Sequence, residues 1–494
     1  MNPMARSINF PFCMKRLVKS TALSALLLGL AFGAHAQEVW SLEKCIQYAQ
    51  DNNLTVKQAE ASVRTAQLSE SQAKASRLPN VTGSISAGEN FGRTIDPTTN
   101  AFSSVAIGQS SVGLNAGMPL FSGGQIHHSV KQAGWNRRAA ETDVMQAVND
   151  LSLQVAQAYL TVLLNQEQLE SAKNRLAQSQ RQLDATLKLI DAGSTPRAER
   201  YTIDAQIARE EQAVVVAQNN LDLAYLSLKQ LLQLEPDFNL EVERPVFEIP
   251  GDANPDVLML GPVYEQALNT QPSVRSTEYR IQAAEEGVKM ARASYWPSIT
   301  LGANVNSYYS TAFQKATITQ GPDQKVVQDV EIGGQIVQVG FFQPTYSTTL
   351  SDVSYFTQLD QNFGQGVGIS VNIPIYQNGR TRLGVEQARL GVINAQLQDN
   401  QTRQRLKNDI QTAIANARSA RLQMIAAQKT VDATRIAYEN TEKRHSLGAV
   451  NTLELTTAKN NFDIAENDLI VAKYDYLFRL KILDFYQGKA LGLK

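Results

Sequence analysis

Few residues in this chain are spaced for chemistry. Gly364-Gln365-Gly366-Val367-Gly368 has the glycine density of a phosphate-cradling loop. Such a loop must open a helix, so that its N–H groups point at the phosphate. Here the glycines alternate with apolar residues, as in a β-strand. His127-His128 has no glutamate at the spacing of a zinc-binding helix. No Ser/His/Asp set has a supporting context. Four histidines and no paired cysteines leave no metal-ligand spacing. No catalytic residue, cofactor or metal is therefore expected. A formal net charge of −1 without a basic block argues against a nucleic-acid partner. Cys45 lies on an apolar helical stripe and is expected to be a core thiol.

The elements that would position any site are written twice. Ala73-Lys-Ala-Ser-Arg-Leu-Pro79 recurs as Ala291-Arg-Ala-Ser-Tyr-Trp-Pro297, an offset of 218 residues from Pro79 to Pro297. Met118-Pro119-Leu120-Phe121-Ser122-Gly123-Gly124 recurs as Ile373-Pro374-Ile375-Tyr376-Gln377-Asn378-Gly379, an offset of 255 from Gly124 to Gly379. The same offset relates Gly193 to Gly448. Solenoid repeats run roughly 20–50 residues, so this is a duplicated domain-sized unit. The second copy carries about 37 extra residues, within about 312–362.

The N-terminus reads as an export signal, residues 1–36. Lys15, Arg16 and Lys19 precede a short apolar core, and Ala34-His35-Ala36 forms the cleavage site. Cys13 would leave with it, which excludes a disulfide within the mature chain. No cysteine follows the site to accept a lipid. Beyond residue 36 no run is apolar enough for a transmembrane helix, which needs about 20 residues. A membrane protein of this sequence would have to be a β-barrel.

Residues 37–235 form the first repeat, 236–259 a proline-rich connector with a possible strand at Leu240–Val242, 260–488 the second repeat and 489–494 a tail. Leu42, Cys45, Ile46 and Ala49 recur at helical spacing and match Leu260, Val263, Tyr264 and Ala267. A second helix follows in each copy, at roughly 55–78 and 273–296. The period then switches to two. Val112, Leu114, Ala116 and Met118, like Val367, Ile369, Val371 and Ile373, alternate with small or polar residues. Ile299–Asn306 and Val81–Phe91 give partner strands. About ten residues per strand suits a tilted membrane crossing and equally the edge of a soluble sandwich. From 125 to 191 there is no proline. Leu169, Leu176, Leu183 and Ile190 are spaced by seven, with Ala172, Ser179 and Thr186 at the second seam position, as in a coiled coil. About 66 residues make a helix of roughly 100 Å. Returning helices follow at 196–234 and 452–487. Within the extra segment, Gly333-Gly334 between two alternating runs signals a hairpin in a long loop.

These features resemble the TolC-like outer-membrane efflux proteins. The carriers are the paired turns at Pro119-Leu-Phe-Ser-Gly-Gly124 and Pro374-Ile-Tyr-Gln-Asn-Gly379, the paired Leu-Pro and Trp-Pro helix ends, and the paired Gly193 and Gly448. The resemblance implies a mainly α fold with a small β part. Four strands per chain would join a trimeric twelve-stranded outer-membrane barrel, and the helices a periplasmic α-barrel. It implies a homotrimer in outer-membrane lipid, with a periplasmic adaptor (membrane fusion protein) and an inner-membrane pump of RND or ABC type. It marks Pro119, Gly123, Gly124, Pro374 and Gly379 as the strand–helix transition. It marks Gly193, Ser194, Gly448 and Ala449 as adaptor-docking turns. Acids six residues after each turn glycine, Glu199 and Glu454, fall at the family's periplasmic gate. The residues themselves leave a second reading open: Asn451 and Glu454 fit a helix capping box. His445 stands where the family has a gate tyrosine, and also on the heptad seam. Val450 and Thr457 depart from the family's gate arginine and second acid. A periplasmic coiled-coil adaptor or scaffold would account for the helices but not for the duplicated strands. A secreted enzyme would need a polar constellation that is missing.

Overall fold

The computed structural model describes residues 39–96, 100–104, 106–244, 255 and 257–489. The expected export signal, the prolines Pro245 and Pro250 and nearly all of the tail lie outside the described residues. The helices come in matched lengths. The first copy has α1 (Leu42–Asn52), α2 (Leu54–Ala75), α3 (Gln125–Asp191) and α4 (Ala198–Leu232), of 11, 22, 67 and 35 residues. The second copy has α5 (Leu260–Thr270), α6 (Pro272–Ala293), α8 (Arg380–Ser446) and α9 (Thr452–Tyr486), again of 11, 22, 67 and 35 residues. Gly134, which interrupts the apolar pattern, leaves α3 unbroken. Among the described residues no helix is long and apolar enough to cross a membrane.

The chain divides into two units. One holds the residues up to Ala61, Thr142–Val274 and those from Gln401 onward; the other holds Ser62–Glu141 and Arg275–Asn400. The first unit contains twin apolar cores built on the repeat offsets. Cys45, Ala49, Val56, Leu151, Val155, Val162 and Leu228 form the core of one copy. Their counterparts Val263, Ala267, Val274, Leu406, Ile410, Ala417 and Leu483 form the other. Cys45 is fully buried, and burial pushes its thiol up to about 12, so it is an inert core residue. On α3 the small seam residues Ala172, Ser179 and Thr186 are buried, while Leu176, Leu183 and Ile190 are only half-buried. Small side chains let neighbouring helices approach closely, so they become the covered line of the seam. Val242 makes a single parallel bridge to Trp40 instead of the strand expected at Leu240–Val242.

The second unit contains the β structure. Strands β1 (Asn80–Asn90), β4 (Ile107–Ser122), β5 (Ser298–Ser310) and β10 (Gly364–Asn372) form one antiparallel sheet in the order β1-β4-β5-β10. Short strands β2 (Thr94–Ile95) and β3 (Phe102–Ser103) pair between β1 and β4. Register shows how the alternating sets of the four strands line up. Ile85 faces Val112, Leu114 faces Val305, Met118 faces Leu301, and Ile369 faces Leu301. Opposed residues share a face, so the apolar sets of all four strands fall on one side. Ser84 with Gly113, Asn115 with Asn304 and Gly302 with Gly368 make the other side small and polar. The apolar side is bare in this chain: Ile85 is 80 % exposed and Val367 80 %. The extra segment of the second copy is ordered structure and not an irregular loop. It holds β6 (Gln314–Gln320), β7 (Gln324–Ile332), β8 (Gln335–Gln343), β9 (Tyr346–Asp352) and the short helix α7 (Tyr355–Gln361). β6 pairs with β9 and β7 with β8.

Candidate functional site: helical turns and strand–helix junctions

Both long helices end in the same backbone motif. Gly193 N–H donates to the Ile190 carbonyl at 3.0 Å and Ser194 N–H to Leu189 at 3.0 Å. In the second copy Gly448 donates to His445 at 2.9 Å and Ala449 to Arg444 at 2.9 Å. These bonds satisfy the orphan carbonyls of a helix end, and the motif needs a left-handed residue. Gly193 and Gly448 supply it with φ of 73° and 69°. No atom lies within 4 Å of where a Cβ would stand on either. Their glycine requirement within this chain is therefore conformational, and close approach has no part in it. Gly193, Ser194, Gly448 and Ala449 are all exposed, and the neighbouring Leu447 is 84 % exposed.

The two acids that follow are not equivalent. Asn451 caps α9: its Oδ1 accepts from the Glu454 N–H at 2.9 Å. The Glu454 carboxylate turns to Arg444 on the last turn of α8, accepting from its Nη1 at 3.2 Å. Glu199 lies in the first turn of α4, whose N-cap residue Arg197 gives no side-chain cap; its N–H donates to the Pro196 carbonyl at 3.1 Å. Capping thus describes the Glu454 turn and not the Glu199 turn. Among the described residues Glu199 takes part in no ion pair. His445 is half-buried, with Nε2 3.2 Å from Thr452 Oγ1, so it ties the end of α8 to the start of α9. Arg444 was not singled out in the sequence, because its partner lies ten residues on, across a turn.

At the strand–helix junctions Gly123 and Gly124 have φ of 61° and 90°, and Asn378 and Gly379 have 51° and 75°. The left-handed pair is thus duplicated, with asparagine tolerated at one of the four places. The carbonyls of Gly124 and Gly379 accept the first helical bonds, from His128 N–H (3.0 Å) and Leu383 N–H (2.9 Å). Gly123 is held by close packing as well: a Cβ there would stand 2.5 Å from the Ala293 carbonyl oxygen and 2.7 Å from Trp296 Cβ. Pro119 sits at a β-bulge of β4 against β5, and Pro374 follows the end of β10. Nearby, His128 Nδ1 lies 2.7 Å from Glu286 Oε2, and Lys289 donates to Oε1 at 2.8 Å. Burial pushes the Glu286 carboxyl up, but these two partners hold it below its ordinary value.

A buried charge cluster joins α3, α4 and α9. Arg175 Nε lies 3.6 Å from Glu210 Oε2, and Lys459 Nζ donates to Ser179 Oγ at 2.8 Å. Asp463 is 8 % exposed, and its Oδ2 has no hydrogen-bond partner among the described residues. Two grooves, of about 750 and 520 Å³, meet at Arg175 and Asp463. Lys459 and Asp463 stand one helical turn apart, and their counterparts at the repeat offset are Asp204 and Ala208. That break in the repeat was the available signal.

The profile of the outer membrane efflux proteins matches residues 45–233 and 263–489. The chain belongs to the outer membrane efflux protein family. Members of this family are channels, and this one is an outer-membrane channel for efflux or secretion. It is 22 % identical over 465 residues to the outer membrane efflux protein BepC of Brucella suis biovar 1, covering 92 % of this chain and 88 % of that protein. It is 20 % identical to the outer membrane protein TolC of Vibrio cholerae over 94 % of both chains. The solved structure of CusC superposes with a TM-score of 0.70 at 18 % identity, over 93 % of this chain and 96 % of that one, which shows a shared fold. As a channel subunit the chain has a use for duplicated strands that a scaffold reading lacks.

Proposed function

We propose that three copies of this chain close a twelve-stranded barrel, continued by a helical tunnel in the periplasm, as the passive exit duct of a tripartite system. The observation that carries this is the sheet itself. β1 and β10 each leave one edge without a partner among the described residues, while every strand turns its apolar residues to the same exposed side. A strand edge cannot be left open in lipid. Four strands cannot close a barrel, since the smallest have eight. Copies of the same chain supply the missing strands, and the TolC-like pattern selects three. The lipid side is then Val367, Ile369 and Val371, and the lumen side Gly368, Ser370 and Asn372.

The exposed turns Gly193-Ser194 and Gly448-Ala449 are where a periplasmic adaptor would dock, handing cargo from an inner-membrane pump of RND or ABC type. Glu199 and Glu454 would place up to six carboxylates at the tunnel entrance. Arg444 offsets the three from Glu454, so Glu199 carries most of the uncompensated charge, and His445 braces the turn that carries Glu454. The test is purification from outer membranes, light scattering in detergent and conductance in planar bilayers. Three chains per particle and discrete channels support the reading; a monomer without conductance removes it.

A further inference from the structure

The ordered segment between β5 and β10 breaks the two-fold plan, and its register gives it two unlike faces. β7 and β8 pair from Gln324↔Gln343 to Ile332↔Gln335 around Gly333-Gly334, whose φ values are 64° and 83°. Opposed residues share a face. Val326, Val330, Ile332, Val337, Val339 and Phe341 therefore lie on one side, completed by Gln324, Gln328, Gln335 and Gln343. That side has no ionisable residue. Lys325, Asp329 and Glu331 all stand on the other, interleaved with the exposed Val327, Ile336 and Phe342. β6 and β9 are divided less sharply: Ile318, Tyr346 and Leu350 share one face with Asp352, and Thr317, Thr319, Ser347 and Thr349 share the other with Lys315.

The base of this ribbon is tied to the sheet. Gln358 of α7 accepts from Ser310 N–H of β5 at 3.0 Å, and Ser310 Oγ donates to Asp96 at 2.7 Å. Ser307 Oγ donates to the Leu359 carbonyl at 2.6 Å. Beyond that base the ribbon is bare: Val337 is 45 % exposed and Phe341 42 %. A lone two-stranded ribbon is marginal in water, so its apolar face needs a cover. Hydrocarbon does not serve. β7 and β8 pair only with each other among the described strands, and their outer N–H and C=O groups would be unsatisfied in lipid. A second copy of the same face does serve. It brings no charge against like charge, whereas the face bearing Asp329 and Glu331 would. Through β9 and α7 the ribbon also leads into β10, one of the two strands whose open edge calls for another copy.

We infer that the apolar faces of the β7–β8 ribbons pack on one another between neighbouring protomers, so that three ribbons meet over the outer mouth of the barrel. This rests on the trimer reading above. The test is disulfide trapping in intact outer membranes, alongside the light-scattering mass of the wild-type channel. Cys45 is fully buried and does not interfere. V337C, on the apolar face, should be trapped as covalent dimers, several-fold more than I336C on the charged face. V330E/V337E should expose the ribbon to added proteinase K without changing the mass. A three-chain mass with no preferential trapping at position 337 and unchanged proteolysis overturns the ribbon contact alone. A one-chain mass overturns the trimer reading beneath it.

Discussion

Replacing Asp463 by asparagine should stabilise the helical unit at neutral pH. Removing one charge from a buried cluster of mixed sign usually does the opposite. Asp463 is held between α3, α4 and α9, facing Arg175, Glu210 and, on its own helix, Lys459 and Glu466. Burial raises its carboxyl from 3.8 to about 6, despite the attraction of Lys459 and Arg175. One pKa unit corresponds to about 1.36 kcal/mol. The ionised carboxylate therefore costs the folded state about 3 kcal/mol, or about 2 kcal/mol once water in the adjoining grooves screens it. The folded pKa lies above the unfolded one, so this cost is fully present above pH 6. It fades between pH 6 and 4 and is absent below. An asparagine at this position carries no such charge. D463N should gain about 2–3 kcal/mol at pH 7.5 and almost nothing at pH 4. Wild-type stability, relative to the variant, should rise on acidification across that window. Thermal melts of the detergent-purified protein by near-ultraviolet circular dichroism, from pH 4 to 8, measure both. A variant that melts lower at pH 7.5, with a pH profile parallel to the wild type, would show that Lys459 and Arg175 outweigh desolvation.

In the sheet, Ile369→Arg places a charge on the proposed lipid side and should cost about 2–4 kcal/mol, while Ser370→Arg on the lumen side should be tolerated; equal yields of assembled channel for both would refute the facing. At the junctions, Gly123→Ala drives a Cβ to 2.5 Å from the Ala293 carbonyl oxygen and should lower the melting temperature sharply, whereas Asn378→Gly, at the matching left-handed position, should cost less than about 1 kcal/mol. At the turns, Asn451→Ala should cost about 0.5–2 kcal/mol through the lost cap, while Glu199→Gln should leave the melting temperature unchanged and lower cation selectivity in planar bilayers. Glu454→Gln should change selectivity less, because Arg444 already offsets that charge; the reverse order would shift the gate to Glu454.

Periodicity was enough to read the main elements. A period of 3.6 over proline-free stretches marks helices and a period of two marks strands, because each is a property of the chain's own geometry. The duplication was equally legible, since equal backbone plans repeat their prolines, glycines and apolar spacings. It extends into the packing, where Leu228 and Leu483 close equivalent cores. The turn glycines were visible because a left-handed position excludes most other residues. Tertiary structure decided everything that depends on which residues face each other. Sequence alternation left the strands open to a sandwich or a barrel, and only the four-strand register put all the apolar sets on one side. The extra segment of the second copy read as a loop around one hairpin. Its outer pairing joins β6 to β9 across more than twenty intervening residues, and no local signal announces such a pairing. Glu199 and Glu454 are equivalent at the repeat offset, yet one is half-exposed with no ion pair among the described residues and the other meets Arg444 across a turn. Of the Arg175, Glu210, Lys459 and Asp463 cluster the sequence shows only the break in the repeat at Lys459 and Asp463; that its charges meet is decided by three helices packing together, because electrostatics depends on distance in space and on burial, which the order of residues does not state.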